Sequence, residues 1–157
     1  MVAEIAVAKV LDDFGIEYII KEHPDPAFTC EEVAHERDIR LSQVLKCMVG
    51  KDARDNVYVM LIPGDKLLKI QKVRNLSGGI KINLFHPVDL SAVFGVTVGA
   101  ISPVQFLGIA KFYLDRTVLL EDIIDISSGS PYAGIHLKSK DLVCVVEPIV
   151  CDIISNR

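Results

Sequence analysis

Apolar and polar residues alternate along the chain in short stretches, each typical of a helix or a strand. Apolar spacing and helix-start signals predict helices over residues 2–14, 67–76, 87–94 and 139–146. Runs rich in valine, isoleucine and leucine predict strands over residues 17–22, 44–49, 57–62, 80–84, 109–115, 123–127, 134–138 and 149–154. With no repeat and no linker, this mixture predicts a single α/β (α+β) domain over residues 1–157, with a curved mixed β-sheet flanked by short helices.

Local signals place the ends of several elements. Thr29 and Glu32 have the spacing of a capping box, which begins a short helix reaching about Arg37. Residues 128–131, with the sequence Ser-Gly-Ser-Pro, predict a turn between two strands. Residues 118–121 form a short element whose type the pattern leaves open.

One charged residue interrupts an apolar strand. Lys46 lies between Leu45 and Cys47, and strand alternation places these two neighbours on one face and Lys46 on the other. A lysine there is costly to bury unless it is paired or opens onto a cleft. A lysine that protects an edge strand from aggregation gives the same pattern. The residues alone leave both interpretations open.

A glycine-rich loop over residues 95–103 is the second unusual segment. Gly95 and Gly99 permit backbone angles that other residues rarely adopt, and Pro103 makes the exit rigid. Such a loop can direct several backbone N–H groups at one oxyanion or carbonyl. An ordinary turn between two elements is the alternative.

The composition narrows the class of protein. A chain of 157 residues, half of them apolar, can bury a sizeable core without disulfides or metal. No apolar run is long enough to span a bilayer, and no basic-then-apolar signal begins the chain, so we expect a soluble cytoplasmic protein. The four cysteines show no zinc-type spacing and are expected to be reduced thiols. The four histidines lack ligand spacing, so no metal site and no cofactor are expected.

The charge distribution adds one feature that the net charge of −4 hides. Between residues 66 and 81 the chain carries five basic residues and no acidic one. They are Lys66, Lys69, Lys72, Arg74 and Lys81. Such a strip can bind phosphates in an acidic protein, and we predict tRNA contacts at the first four of these positions. A solvated helix face is the alternative interpretation.

The order of these motifs resembles the YbaK/ProRS-associated domain family of aminoacyl-tRNA editing deacylases. The segment around Lys46 is similar to the family's V-x-K-T strand, and residues 99–103 are similar to its G-x-x-x-P loop. The strand over residues 57–62 ends in Pro-Gly-Asp, as in the family. The resemblance extends from about residue 23 to residue 154.

The resemblance implies a role for each motif. Lys46 would hold a phosphate or the ester carbonyl, and the loop would donate amides to that carbonyl. The implied catalytic residues are therefore Lys46, Gly99 and Ser102, although Ser102 lacks the G-x-S-x-G elbow of a nucleophilic serine. The implied substrate-binding residues of the loop are Ala100, Ile101 and Pro103, which would exclude larger side chains.

Three further positions are assigned to substrate binding by the same resemblance. His23 matches a histidine that follows the second strand in the family, although a position on a loop surface is the alternative. Gly134 and His136 stand where members that act on cysteinyl esters have an aspartate and a glutamate. This departure puts a cysteine-specific assignment in doubt.

The function implied is trans-editing of a mischarged tRNA, with alanine or cysteine on tRNA-Pro as the expected substrate and prolyl-tRNA synthetase as a candidate partner. Water or the vicinal hydroxyl of the substrate would attack the activated ester. One alternative is a non-catalytic module that binds tRNA or an aminoacyl nucleotide. Another is a small-molecule hydrolase that uses Cys47 or Ser102.

Overall fold

The computed structural model describes residues 2–156. The helices are α1 (Val2–Asp13), α2 (Cys30–Glu36), α3 (Ile70–Leu76), α4 (Pro87–Phe94) and α5 (Ser139–Val146), with 3₁₀ turns at Leu41–Gln43, Pro103–Phe106 and Arg116–Leu120. The strands are β1 (Tyr18–Glu22), β2 (Leu45–Lys51), β3 (Val57–Pro63), β4 (Asn83–Leu84), β5 (Ala110–Asp115), β6 (Ile123–Ser130), β7 (Ala133–Lys138) and β8 (Ile149–Cys151). None of the helices in this range is long and apolar enough to cross a membrane.

The strands form two sheets. A five-stranded mixed sheet has the order β4-β2-β3-β5-β8, in which β3, β5 and β8 run parallel. A three-stranded antiparallel sheet has the order β1-β7-β6. A single parallel bridge between Val44 and Asp125 links the two sheets. The predicted α/β class is confirmed, and the predicted curved sheet is divided into two sheets that meet at this bridge.

The central strand β3 is buried on both faces and separates two apolar clusters. Val59 and Leu61 face the larger cluster, which also contains the inner face of the three-stranded sheet and the buried positions of α1 and α5. Met60 and Ile62 face the smaller cluster, together with Val73 of α3. A strand that is buried on both faces has a continuous apolar sequence, as residues 57–62 do.

Tertiary pairing changes three predicted boundaries. Helix α3 begins at Ile70 rather than at residue 67, because Leu67 and Lys69 use their backbone groups to pair with the C-terminal segment. Strand β4 is reduced to two residues. The turn predicted over residues 128–131 is wrong in part, because Ser128–Ser130 belong to strand β6. The Ser128 hydroxyl donates to the Ala133 carbonyl, and the hairpin stays paired beyond an irregularity in its register.

The predicted capping box is confirmed. Glu32 donates its backbone N–H to the Thr29 hydroxyl, and Thr29 donates its own to the Glu32 carboxylate. Helix α2 therefore begins at Cys30 and ends with Arg37 as its C-cap. This fixed end places the Arg37 side chain over the three-stranded sheet.

Candidate functional site

A cavity of about 150 Å³ lies where the two sheets meet. The segment that begins α2, the first residues of β2, the glycine-rich loop and strand β6 each contribute part of its wall. The lining residues are Phe28, Thr29, Cys30, Val33, Arg37, Val44, Leu45, Lys46, Cys47, Gly99, Ile101, Asp125 and Ser127. The structure thus brings the predicted lysine and the predicted loop to one cavity.

Lys46 is half-buried at the start of β2, on the face opposite Leu45 and Cys47 as alternation predicted. Its ammonium group donates to the backbone carbonyl of Lys66 at 2.9 Å. That carbonyl follows the Pro-Gly-Asp turn, which Gly64 anchors by donating its N–H to the Val44 carbonyl at 2.7 Å. The other two ammonium donors have no partner within residues 2–156 and are available to a ligand.

In the glycine-rich loop, two of the four backbone amides of residues 99–102 are used within the protein. Ala100 donates its N–H to the Thr97 carbonyl at 2.9 Å, and Ser102 donates its N–H to the Gln105 side chain at 2.9 Å. The amides of Gly99 and Ile101 have no partner among the described residues, and both residues line the cavity. Two residues of the loop that line the cavity with Lys46 therefore have unpaired amides.

Gly99 is needed where the loop passes Phe28. Its φ is +83°, in the left-handed region, and a Cβ there would lie about 3.0 Å from the Phe28 carbonyl oxygen. Behind this contact, Ala100 and Pro103 are buried, so they support the cavity wall without lining it. Of the predicted wall residues, only Ile101 reaches the cavity.

The assignment of Ser102 as a catalytic residue is corrected by the structure. Its side chain is fully buried, lies outside the cavity lining, and its hydroxyl has no hydrogen-bond partner among the described residues. A buried hydroxyl without an adjacent base cannot reach or attack a substrate. Its backbone has the structural role of closing the loop.

A buried ion pair forms the deepest part of the cavity. Arg37 Nη1 donates to both oxygens of Asp125, at 2.7 and 2.8 Å. Arg37 Nε donates to Nε2 of His23 at 3.1 Å, so His23 carries its proton on Nδ1 and donates to the Asp25 carbonyl at 2.6 Å. Burial raises the pKa of Asp125 to about 6, although Arg37 opposes the shift.

His23 is therefore buried rather than on a loop surface, but it acts through Arg37 and does not line the cavity. Sequence reasoning missed Arg37 and Asp125. Asp125 interrupts the apolar strand β6 as Lys46 interrupts β2, so the same signal was present. No pattern in the sequence pointed to Arg37, because an arginine at the end of a helix is common.

Gly134 has a different role from the predicted one. It lies in β7 beneath the Arg37 side chain, and a Cβ there would lie 2.6 Å from both Cδ and Cζ of Arg37. Gly134 makes room for the guanidinium and is not part of the cavity lining. His136 lies opposite Asp125 in the register and also outside the lining. Burial, Lys21 and Arg37 lower the pKa of His136.

The thiols of the cavity are poor nucleophiles. Burial raises the pKa of Cys47 to about 12 and also raises that of Cys30. The thiolate is the reactive form, so both groups stay neutral near pH 7. The described residues contain no group of three metal-binding side chains.

The predicted basic strip is divided by the structure. Lys72 donates to Asp152, Asn156 and the Ile154 carbonyl, while Arg74 donates twice to the Ile82 carbonyl. The charged groups of Lys72 and Arg74 therefore bind other parts of the same chain and stabilise the fold. Lys66 is half-buried and Lys69 is exposed, and neither side chain has a partner among the described residues. Of the four predicted phosphate-binding residues, these two therefore remain candidates.

Comparison with known proteins places this cavity in context. A sequence model described as the Aminoacyl-tRNA editing domain matches residues 24–144. A protein of Enterococcus faecalis, provisionally named a Cys-tRNA(Pro)/Cys-tRNA(Cys) deacylase, is 28% identical over 109 residues, which are 69% of this chain and 66% of that protein. A proline–tRNA ligase of Thermosipho melanesiensis is 28% identical over 96 residues, which are 61% of this chain and 17% of the ligase. The chain therefore spans less than two thirds of the length of either relative.

A solved structure shares the fold. It is described as a trans-editing enzyme for prolyl-tRNA synthetase, also provisionally, and superimposes with a TM-score of 0.85 over 98% of each chain at 22% identity.

The close contact beneath Arg37 yields a stability prediction. Gly134→Ala should destabilise the protein by about 1–3 kcal/mol, because the added methyl must displace a guanidinium that is fixed on both sides. Urea unfolding would measure the change. In an Arg37→Ala background the same substitution should cost much less, since the collision is gone. Equal costs in the two backgrounds would contradict the contact.

Proposed function

We propose, because this chain belongs to the aminoacyl-tRNA editing domain family, that it hydrolyses the ester bond between a mischarged small amino acid and the 3′-terminal ribose of a tRNA. The observation that carries the proposal is that Lys46, Gly99 and Ile101 line one cavity and that the amides of the two loop residues have no partner among the described residues. These groups match an ester carbonyl, on which negative charge develops during hydrolysis.

The proposed mechanism needs no side-chain nucleophile. Water attacks the carbonyl carbon and gives up a proton, and the developing oxyanion is stabilised by the loop amides and Lys46. Attack by the vicinal hydroxyl of the terminal ribose would only move the ester to that hydroxyl, so water still has to complete the hydrolysis. The bond to the ribose oxygen then breaks, and that oxygen takes up a proton. The ester is already activated, so orientation and a polarised carbonyl supply the rate. The buried Ser102 and the neutral Cys47 support this route.

The proposed substrate is alanine or cysteine on tRNA-Pro, with prolyl-tRNA synthetase as the enzyme that makes the error. The names of the relatives support the prolyl system and cysteine, whereas alanine is included because of its size. Both amino acids are small enough to enter a site built for proline, so binding alone cannot reject them and a second site is needed. A cytoplasmic location, where tRNA is charged, is part of the same proposal.

Lys46→Ala should abolish nearly all deacylation and leave the fold intact. The substitution removes the one ammonium group among the described lining residues, and Lys46 is only half-buried. Hydrolysis of Ala-tRNA-Pro and circular dichroism would be measured together. Lys51→Ala, at the far exposed end of the same strand, is the matched control and should keep full activity. Normal turnover by a folded Lys46→Ala variant would refute the assigned role of Lys46. If the wild type binds tRNA without turnover, the alternative of a non-catalytic binding module is favoured.

The cavity should reject the cognate prolyl ester by size. Each additional methylene in a tight pocket is worth about 1–3 kcal/mol, so kcat/KM for the alanyl ester should exceed that for the prolyl ester at least about tenfold. Ile101→Ala should reduce this ratio by widening the wall. Val98→Ala, exposed in the same loop and away from the cavity, should leave it unchanged. A preference for the prolyl ester would exclude an editing role.

Phosphate binding should depend on Lys66 and Lys69. The double variant Lys66→Glu/Lys69→Glu should weaken tRNA binding and lower the slope of log K against log salt by about one unit per lost contact. Cleavage of a minimal aminoacyl-adenosine should change little. Lys138→Glu/Lys140→Glu changes the net charge equally at another exposed position and serves as the control. Identical salt slopes for the two variants would show that the strip is only a solvated surface.

A further inference from the structure

Two charged side chains form the floor of the cavity. Arg37 is 3% exposed and Asp125 is 1% exposed, whereas Phe28 at the rim is 47% exposed. In the proposed function the aminoacyl group is the end of a macromolecular substrate, so the nucleotides would stay at the rim and the amino acid would enter first. The floor therefore meets the amino acid.

The hydrogen bonds of this floor are incompletely used. Arg37 donates through Nε and Nη1, but Nη2 has no partner among the described residues, although the side chain lines the cavity. Each Asp125 oxygen accepts one of the Nη1 bonds and has a second lone pair available. The floor thus offers one strong donor beside an acceptor.

The guanidinium is held rigidly in this orientation. His23 accepts from Nε on one side, Asp125 fixes Nη1 on the other, and the backbone of Gly134 lies directly beneath. A donor fixed before the ligand binds loses little entropy in binding. A ligand that fails to pair with it leaves a buried charged donor unsatisfied, which is costly.

We propose that Arg37 is a specificity-determining residue that selects a small amino acid with a hydroxyl side chain, so that a seryl ester is preferred to an alanyl ester. The hydroxyl accepts from Nη2 of Arg37 and donates to Asp125. An alanyl methyl group leaves both unpaired, and a cysteinyl thiol is a weaker partner on both counts. This inference rests on the proposed deacylase function of the same cavity, and it places serine ahead of the alanine and cysteine named there.

The test compares seryl and alanyl esters on the same tRNA-Pro. The wild type should favour the seryl ester in kcat/KM, and Arg37→Met should reduce that preference roughly tenfold or more, as expected for a lost hydrogen bond to a charged group. The ratio of the two substrates does not depend on the folded fraction. The double variant Arg37→Met/Asp125→Asn avoids an unpaired buried carboxylate and should behave in the same way. Arg54→Met, in the exposed loop after β2, is the control that should keep the wild-type ratio.

A binding arm separates this inference from the deacylase function. Non-hydrolysable seryl and alanyl amides of 3′-amino-adenosine would be titrated calorimetrically into the wild type and Arg37→Met. Tighter binding of the seryl amide by the wild type alone supports the inference even where no ester is cleaved, in which case the deacylase function fails by itself. An alanyl preference in the wild type, or a ratio unchanged by both Arg37 variants, overturns the role of Arg37.

Discussion

The ion pair between Arg37 and Asp125 is the interaction on which the arrangement of the cavity depends. It joins the end of α2 to strand β6 beside the bridge that links the two sheets. Removing two charges from water costs several kcal/mol per ion, and the attraction offsets this only with good geometry and satisfied neighbours. Both oxygens of Asp125 accept from Arg37 Nη1, and His23 accepts from Nε, so the geometry is good and Nη2 is the guanidinium nitrogen left without a partner among the described residues. Gly134 follows from the same constraint, because no side chain fits beneath the guanidinium.

The chemistry of the cavity comes mainly from the backbone. The loop satisfies the amides of Ala100 and Ser102 internally, whereas those of Gly99 and Ile101 have no partner in the part of the chain that the structure describes. Lys46 is held in the same way, by one backbone carbonyl, and keeps two donors free. Fixed donors of this kind need no reorganisation during the reaction, which suits an ester that requires no covalent catalyst.

Positive charge serves two purposes in this chain, and composition does not distinguish them. Lys72 and Arg74 satisfy backbone carbonyls and hold the C-terminal segment and strand β4 in place. Lys66 and Lys69 lie in the same stretch of sequence, and their side chains remain available. A variant that reverses the charges of Lys72 and Arg74 would disturb packing, so only a change at Lys66 and Lys69 isolates an electrostatic effect on the proposed tRNA binding.

The sequence by itself determined the α/β class and the capping box of α2, and it singled out Lys46 and the Gly99 loop as candidate site residues, because these depend on local spacing and on one charge in an apolar run. Only the tertiary structure decided which polar groups meet. Residues 37 and 125 lie 88 positions apart, and no local pattern pairs them. The burial of Ser102, the internal use of Lys72 and the role of Gly134 likewise depend on neighbours that are distant in sequence. Local spacing fixes the direction of a side chain within its own element, whereas the packing of elements fixes what that side chain contacts.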